Sequence, residues 1–463
     1  MGLSLTVVLA GALCLRLSFA LRIAPFVTKD SQSYFLPGWD LTTGGDFQLG
    51  LRRTPGYPIF IAGALTLFGD DLRAVSLAQH LVGIATAGLS FAIGWRSFNL
   101  TAGLLAGIAT ALSAPLVAYE HFILTESLFT VAVTAWGLVA VQAVRRDRLR
   151  LWIGLGAIAG ASGLIRPIGQ LLVVPALLAA LLVAPLDIRP TVRRLALVAS
   201  AFALMLAPWV IRNQIVRDVA GASTFGRTLI ARTAYYDRGF VFLDGDRSSN
   251  PGDSDARRAR RIVQQGADRR ESDGTIAQRL RQELGLDPIQ TNAVMREIAL
   301  EAILRQPWHF LEGTLSFSLR IFNGIELRIR DLAAERKDVV WEDRTRTLLA
   351  GSPDSEDDFR AASKLLGIFQ PARLAPLPLV LFVAGTSAAI AMRRHRSALP
   401  LAAAVGGLIL ASAALDGPQE RYRYPSDPLI AVLSAGAVGI ALRSVAARFG
   451  ARPEHSPNGA TAA

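Results

Sequence analysis

Residues 122–150 read FILTESLFTVAVTAWGLVAVQAVRRDRLR. Between Glu126 and Arg145 no side chain is ionisable. At 1.5 Å per residue, that run is about long enough for a helix to cross roughly 30 Å of hydrocarbon. Its Leu, Ala and Val follow one another without the apolar–polar alternation of a barrel strand. Lipid offers no partner for an unpaired backbone group, so the spanning element is an α-helix. The run closes on Arg145, Arg146, Arg148 and Arg150, which marks a cytoplasmic end.

The same pattern recurs along the chain. Apolar runs at 3–24, 74–95, 100–118, 122–144, 151–165, 168–184, 195–213, 373–392, 397–415 and 428–446 predict about ten transmembrane helices. The pair 151–165 and 168–184 is one apolar stretch broken by Arg166 and Pro167. Short-loop arginines at 189, 193 and 194, at 393, 394 and 396, and at 443 and 448 then share the side of Arg145. That side is the cytoplasm, and both termini are expected there. A span over 54–70 would break this agreement, so the segment reads as re-entrant or juxtamembrane. Residues 3–24 lack a basic n-region and contain Arg16 and Arg22, so they read as an uncleaved first helix.

The chain is therefore an all-α polytopic membrane protein. Its 51% hydrophobic and 19% charged composition agrees. The net charge of +12 is explained by the positive-inside bias and by anionic lipids or phosphates, not by nucleic acid. The one cysteine, Cys14, excludes an internal disulfide framework. Residues 1–213 form an N-terminal membrane module with a first extracytoplasmic loop at 25–73. Residues 214–372 form a large mixed or mainly helical extracytoplasmic insert. Residues 373–446 carry the last helices, and 447–463 a tail expected to lack fixed structure. Within the insert, 243–288 is polar, with Gly, Ser, Asp and Arg runs, and is expected to be partly mobile. Residues 290–323 read as an amphipathic helix that Pro307 kinks or divides; were the acceptor a lipid, this helix would suit the membrane surface.

Charges on the extracytoplasmic side run against the bias. Arg52, Arg53, Arg166, Arg212, Arg421 and Arg423 lie there, with Asp30, Asp40, Asp46, Glu120, Glu126 and Glu420. Ionisable groups at a membrane boundary are costly unless paired or serving a ligand. Gathered guanidiniums suit a phosphate, and a carboxylate among them suits acid–base chemistry. Plainer roles compete. Arg16 and Arg22 suit snorkelling, Arg421, Arg423 and Arg212 suit interfacial anchoring, and Glu126 suits helix capping. Asp30 and Tyr34 share a helix face, and Pro55, Gly56 and Pro58 bend the chain after Arg52 and Arg53. Tyr34, Tyr57 and Trp39 are candidates to stack on a sugar or to form an aromatic belt. No cofactor is indicated. His121 beside Glu120, or the set Asp30, Asp40 and Asp46, leaves a divalent ion open, although no HExxH spacing occurs.

Six short motifs stand in order: Asp30-Ser-Gln-Ser-Tyr34, Arg53-Thr-Pro-Gly-Tyr-Pro-Ile-Phe-Ile-Ala62, Leu124-Thr-Glu-Ser-Leu128, Gly163-Leu-Ile-Arg-Pro167, Pro208-Trp-Val-Ile-Arg-Asn213 and Arg421-Tyr-Arg-Tyr-Pro425. In these the chain resembles a bacterial glycosyltransferase of the GT-C fold, in the superfamily of protein O-mannosyltransferases and lipid A aminoarabinose transferases (glycosyltransferase family 39/83-like). The resemblance covers about residues 1–215 and 370–446. It implies an inner-membrane enzyme that takes a monosaccharide from a polyprenyl-phosphate donor to an extracytoplasmic lipid, glycan or protein, usually with inversion. It implies that Asp30 is the catalytic carboxylate and that Arg53 and Arg212 hold the lipid phosphate. Arg52, Arg166, Arg421 and Arg423 are further candidates for that phosphate, with Tyr34, Tyr57, Glu126 and Asp40 supporting. Ser31 follows Asp30 where protein mannosyltransferases carry Asp-Glu, and Arg52 stands where the aminoarabinose enzymes often have an acid, so sugar and acceptor stay open. The rival reading is a polyprenyl-lipid or glycolipid transporter or flippase, which predicts inverted repeats and midplane charges; no internal repeat is seen. A non-catalytic scaffold leaves Asp30 with Arg53 in one loop, and the ordered motifs, unexplained.

Overall fold

The computed structural model describes residues 2–23, 25–45, 47, 49, 53–183, 187–217, 225–237, 239–242, 254–324 and 377–450. Arg52, Asp46, the Glu420 side chain and the tail beyond Gly450 lie outside the described residues. Eighteen helices are named here: α1 (Gly2–Arg22), α2 (Lys29–Thr43), α3 (Gly56–Phe68), α4 (Leu72–Ser97), α5 (Leu100–Ala111), α6 (Ala114–Tyr119), α7 (Glu126–Arg146), α8 (Leu149–Ile165), α9 (Val173–Leu181), α10 (Ile188–Arg217), α11 (Phe225–Ile230), α12 (Ser254–Arg269), α13 (Asp273–Leu284), α14 (Pro288–Arg305), α15 (Pro307–Asn323), α16 (Leu377–Ala391), α17 (Leu399–Leu415) and α18 (Asp427–Gly450). Short 3-10 turns precede α9, α17 and α18.

Six of the described helical stretches are long and apolar enough to cross a bilayer: 2–22, 72–97, 126–146, 188–215, 393–415 and 424–446. Each predicted span carries a helix, but α5, α8, the 167–181 stretch and α16 are shorter apolar helices. Local sequence sets their ends. Asp71 and Asn99 cap α4 and α5 through the backbone N–H groups of Ala74 and Ala102, at 3.0 and 2.9 Å. Pro167 forces Arg166 into an extended conformation (φ −141°, ψ 131°), which ends α8 and begins a new helical stretch. Gly156 and Gly160 let α8 approach α10 closely: a Cβ on Gly156 would lie 2.2 Å from the Val198 carbonyl oxygen. Trp136, Trp152, Leu401, Leu429 and Leu433 fill one core shared by the membrane helices.

The arginine-rich loops gather at one end of this bundle. Arg194 grips Asp147 at 2.6 and 2.8 Å, Arg145 donates to the Arg96 carbonyl, and His395 meets the Ser97 carbonyl at 2.8 Å. Arg194 and Trp152 hydrogen bonds hold the Asp147 carboxyl below its usual range, with Arg194 the larger cause. Glu126 begins the same helix that Arg146 ends, so the opposite end is about 30 Å away.

The insert is mainly helical where described. The polar stretch 243–288 contains α12 and α13, whose Ile262, Val263, Ile276 and Leu280 close over Leu229, Met295 and Ala299 in a second core. Sequence missed this because the apolar side chains are few and spaced among many arginines; only packing makes them a face. Pro307 divides the amphipathic stretch into α14 and α15, as its missing N–H requires. Asp287 and Gln290 form the capping box that starts α14.

Candidate active site

Three loops build the site at the end of the bundle opposite the arginine-rich loops. Phe26 and Phe122 form a short parallel bridge: Phe26 N–H donates to the His121 carbonyl at 2.8 Å and Ile123 N–H to the Phe26 carbonyl at 3.0 Å. This sets the start of α2 beside the start of α7. The Arg53–Pro55 bend is fixed by Thr54, whose hydroxyl donates to the Ile165 carbonyl at 2.9 Å. Gly56 allows that approach, since a Cβ there would lie 2.7 Å from the Leu164 oxygen. The 416–426 loop is anchored by Tyr424, which is buried against Tyr119 at 5.1 Å between ring centroids.

On α2, Asp30, Ser33 and Tyr34 share one face, and all three hold Arg53. Its Nη2 donates to Asp30 Oδ1 at 2.6 Å, Nε to Ser33 Oγ at 2.7 Å and Nη1 to Tyr34 Oη at 2.7 Å. The guanidinium also lies 4.2 Å from the Tyr34 ring centroid. Asp30 remains 50% exposed and Arg53 only 17%, so the carboxylate faces the opening while its partner is fixed. Thr125 holds the N-cap position of α7 and makes no side-chain cap bond; Glu126 is the acidic residue of the first turn, where its charge suits the helix dipole, and, nearly buried, it also pairs with Arg166 Nη1 at 3.0 Å. Arg166 in turn stands 5.6 Å from the Tyr422 ring.

Arg421 completes the cluster. It stacks at 5.4 Å on Tyr422, and its Nε is buried without an acceptor among the described residues. Burial works against its charge, but Tyr422, Glu126, Tyr119 and Asp30 outweigh burial and raise its pKa well above the ordinary value. Burial, followed by Asp416, pushes the Tyr422 hydroxyl up to about 12 against the pull of Arg421 and Arg166, so it stays neutral. Tyr34 is also raised by burial, with Arg53 and Arg166 opposing and Glu126 and Asp30 adding. Glu126 and Asp30 thus act on both Tyr34 and Arg421, and Arg166 acts on both Tyr34 and Tyr422. Five sequence candidates, Asp30, Arg53, Glu126, Arg166 and Arg421, converge with Tyr34. Ser33 and Tyr422 join them without having been singled out; the i+3 spacing from Asp30 was the signal for Ser33.

Other candidates fall elsewhere. Tyr57 is fully buried and donates to Gln79 Oε1 at 2.7 Å, so it packs the loop and offers no face to a sugar. Arg423 bonds the Phe322 and Gly324 carbonyls, at 2.6 and 2.7 Å, and Asp427 at 2.8 Å, and so joins insert to membrane helix. Arg212 contacts Asn213 Oδ1, the Phe47 carbonyl and the Trp209 ring, and no group of the central cluster. Asp40 sits ten residues along α2 from Asp30, about 15 Å at the helical rise, so the two cannot share an ion. Arg16 does not snorkel. It is 1% exposed and paired at 2.8 Å with Glu120, whose other oxygen meets His80 Nδ1 at 2.8 Å. Glu120 is thereby occupied, and His121 meets Ser76 at 3.0 Å. Among the described residues no group of three or more His, Cys, Asp or Glu is arranged to hold a metal.

The chain has the GT-C fold. The archaeal oligosaccharyltransferase AglB from Archaeoglobus fulgidus, solved with an inhibitory peptide and a dolichol-phosphate, aligns over 98% of this chain with a TM-score of 0.50 and 12% identity. The chain spans about half, 52%, of AglB. ArnT from Cupriavidus metallidurans, solved bound to undecaprenyl phosphate, aligns over 98% of this chain and 81% of its own, at 15% identity and a TM-score of 0.42. Residues 52–211 match the family described as dolichyl-phosphate-mannose-protein mannosyltransferase. No curated protein matches the sequence.

Proposed function

We propose that the protein is a glycosyltransferase that moves a monosaccharide from a polyprenyl-phosphate donor to an acceptor hydroxyl on the non-cytoplasmic face of a bacterial inner membrane. The observation that carries this reading is the convergence of one half-exposed carboxylate, Asp30, with the guanidiniums of Arg53, Arg166 and Arg421 at the end of the bundle away from the arginine-rich loops. The family match over 52–211 covers the Arg53, Glu126 and Arg166 portions of that cluster. The ten-span topology, with both termini cytoplasmic and 214–372 as the extracytoplasmic insert, is part of the proposal.

The step is a single displacement. The acceptor oxygen bonds to the anomeric carbon as the bond from that carbon to the phosphate oxygen breaks. The acceptor proton passes to Asp30, and the lipid phosphate leaves with the bonding pair. Arg53 is the residue that must serve both partners: donor phosphate draws it from Asp30, which frees the carboxylate as base. Arg421, with a buried Nε unmatched, and Arg166 stabilise the charge that grows on the phosphate. Glu126 keeps Arg166 in place and sets how much positive charge the site holds.

The test is transfer by the purified protein, using a panel of polyprenyl-phosphate sugars and extracted envelope acceptors, with Asp30→Asn alongside. Transfer by the wild type and its loss in the variant supports the mechanism. A folded wild type that transfers from no donor shifts the reading to a lipid transporter.

A further inference from the structure

Helix α15 presents three different faces. Phe310, Thr314, Phe317 and Ile321 turn inward. Arg232 lies 5.2 and 4.4 Å from the Phe310 and Phe317 rings, and Ile321 is buried in the core of the membrane helices. Trp308, Leu311, Leu315 and Leu319 recur three and four residues apart, so they form one line along the helix. All four are exposed, at 79, 46, 52 and 55%. Glu312, Ser316 and Arg320 form a neighbouring exposed line that is polar.

Large apolar side chains held outward in a row mark a contact surface. Their neighbours indicate what covers them. The line runs on to Phe322, which is buried and stands 5.3 Å from the ring of Phe382 in α16. That apolar helix exposes Val380 and Val383, at 56 and 52%, as a membrane helix does toward lipid. The apolar line is therefore continuous with the lipid-facing surface. An apolar edge beside a charged edge is the pattern of a helix lying in a bilayer interface.

We propose that α15 lies in the plane of the leaflet on the insert side, with Trp308, Leu311, Leu315 and Leu319 on the acyl chains and Glu312, Ser316 and Arg320 at the headgroups. Arg423 bonds the carbonyls at the C-terminal end of α15 and stands two residues from Arg421. The bilayer thus fixes the depth of the loop that carries Arg421, through a surface that takes lipid and not protein.

The test uses the full chain in lipid nanodiscs, with Cys14→Ser as background. Single cysteines replace Trp308, Leu311, Leu315, Leu319, Glu312 and Ser316 in turn and carry an environment-sensitive fluorophore. The expected result is blue-shifted emission, quenched by acyl-chain spin labels, at the four apolar positions, with water-like emission at Glu312→Cys and Ser316→Cys. Equal access of a water-soluble quencher at all six positions overturns the proposal. So does blue-shifted emission that acyl-chain spin labels leave unchanged, since protein, from this chain or a second copy, would then cover the face.

Discussion

Replacing Asp30 by Asn removes one negative charge and keeps the side chain's size. Asp30 is half exposed and pairs with Arg53 at 2.6 Å, a type of contact worth about 0.2–1 kcal/mol. It also sits in the first turn of α2, where a carboxylate contributes about 0.3–1 kcal/mol. Arg53 keeps its bonds to Ser33 and Tyr34 and its position over the Tyr34 ring. The stability loss is therefore at most about 2 kcal/mol, a shift of a few degrees in Tm for a protein of this size. Loss of a general base lowers the rate by about 10²–10⁴, which is about 3–5 kcal/mol in the transition state. The two effects separate cleanly: transfer falls by at least a hundredfold in a protein that still melts cooperatively near the wild-type temperature. The assay is sugar transfer from a polyprenyl-phosphate donor in detergent, with thermal unfolding on the same preparation. A variant that keeps transfer within tenfold of wild type removes Asp30 from the proton transfer and points to Glu126 as the remaining carboxylate of the cluster.

Glu126→Ala leaves Arg166 charged in a largely buried setting, so a loss of about 3–5 kcal/mol is expected. Adding Arg166→Met to that variant should recover much of the Tm without restoring transfer; unfolding curves of the single and double variants read this, and no recovery speaks against the pair. Gly156→Ala forces a Cβ to 2.2 Å from the Val198 oxygen, and overpacking of this kind costs about 1–3 kcal/mol; an unchanged Tm in detergent denies the close α8–α10 contact. Asp147 has a depressed folded pKa because Arg194 hydrogen-bonds its carboxylate. Its contribution is thus fully present above the unfolded value, about 3.9, and is lost as pH falls through the lower folded value. Asp147→Asn should lower Tm at pH 7, and the gap from wild type should narrow as the pH falls below that unfolded value; a gap constant with pH refutes the charge assignment.

The helical, membrane-crossing character of this chain was legible in its sequence because hydrocarbon imposes a local rule. A run such as 127–144 must satisfy its own backbone, and no distant residue changes that. The arginines that end such runs, and the breaks at Pro167 and Pro307, follow from equally local chemistry. So does the shared face of Asp30 and Tyr34, which follows from a helical period. Span lengths were less legible, since α5 ends at Ala111, short of its apolar run to 118, and α6 begins anew with Pro115 in its first turn. Partnership was not legible at all. Arg16 and Arg166 look alike in sequence as arginines beside apolar runs, yet one closes on Glu120 in a buried pair and the other enters the Asp30 cluster through Glu126. Arg421 and Arg423 differ by two positions, and one faces the site while the other binds the end of α15. These outcomes depend on which loops meet: the Phe26–Phe122 bridge, the Thr54 bond to Ile165 and the burial of Tyr424. Each joins residues tens to hundreds of positions apart. Sequence alone therefore determined which ionisable groups flank the apolar runs, because the cost of placing charge in lipid is local. Tertiary structure alone decided which of them face one another, because that depends on contacts no stretch of sequence contains.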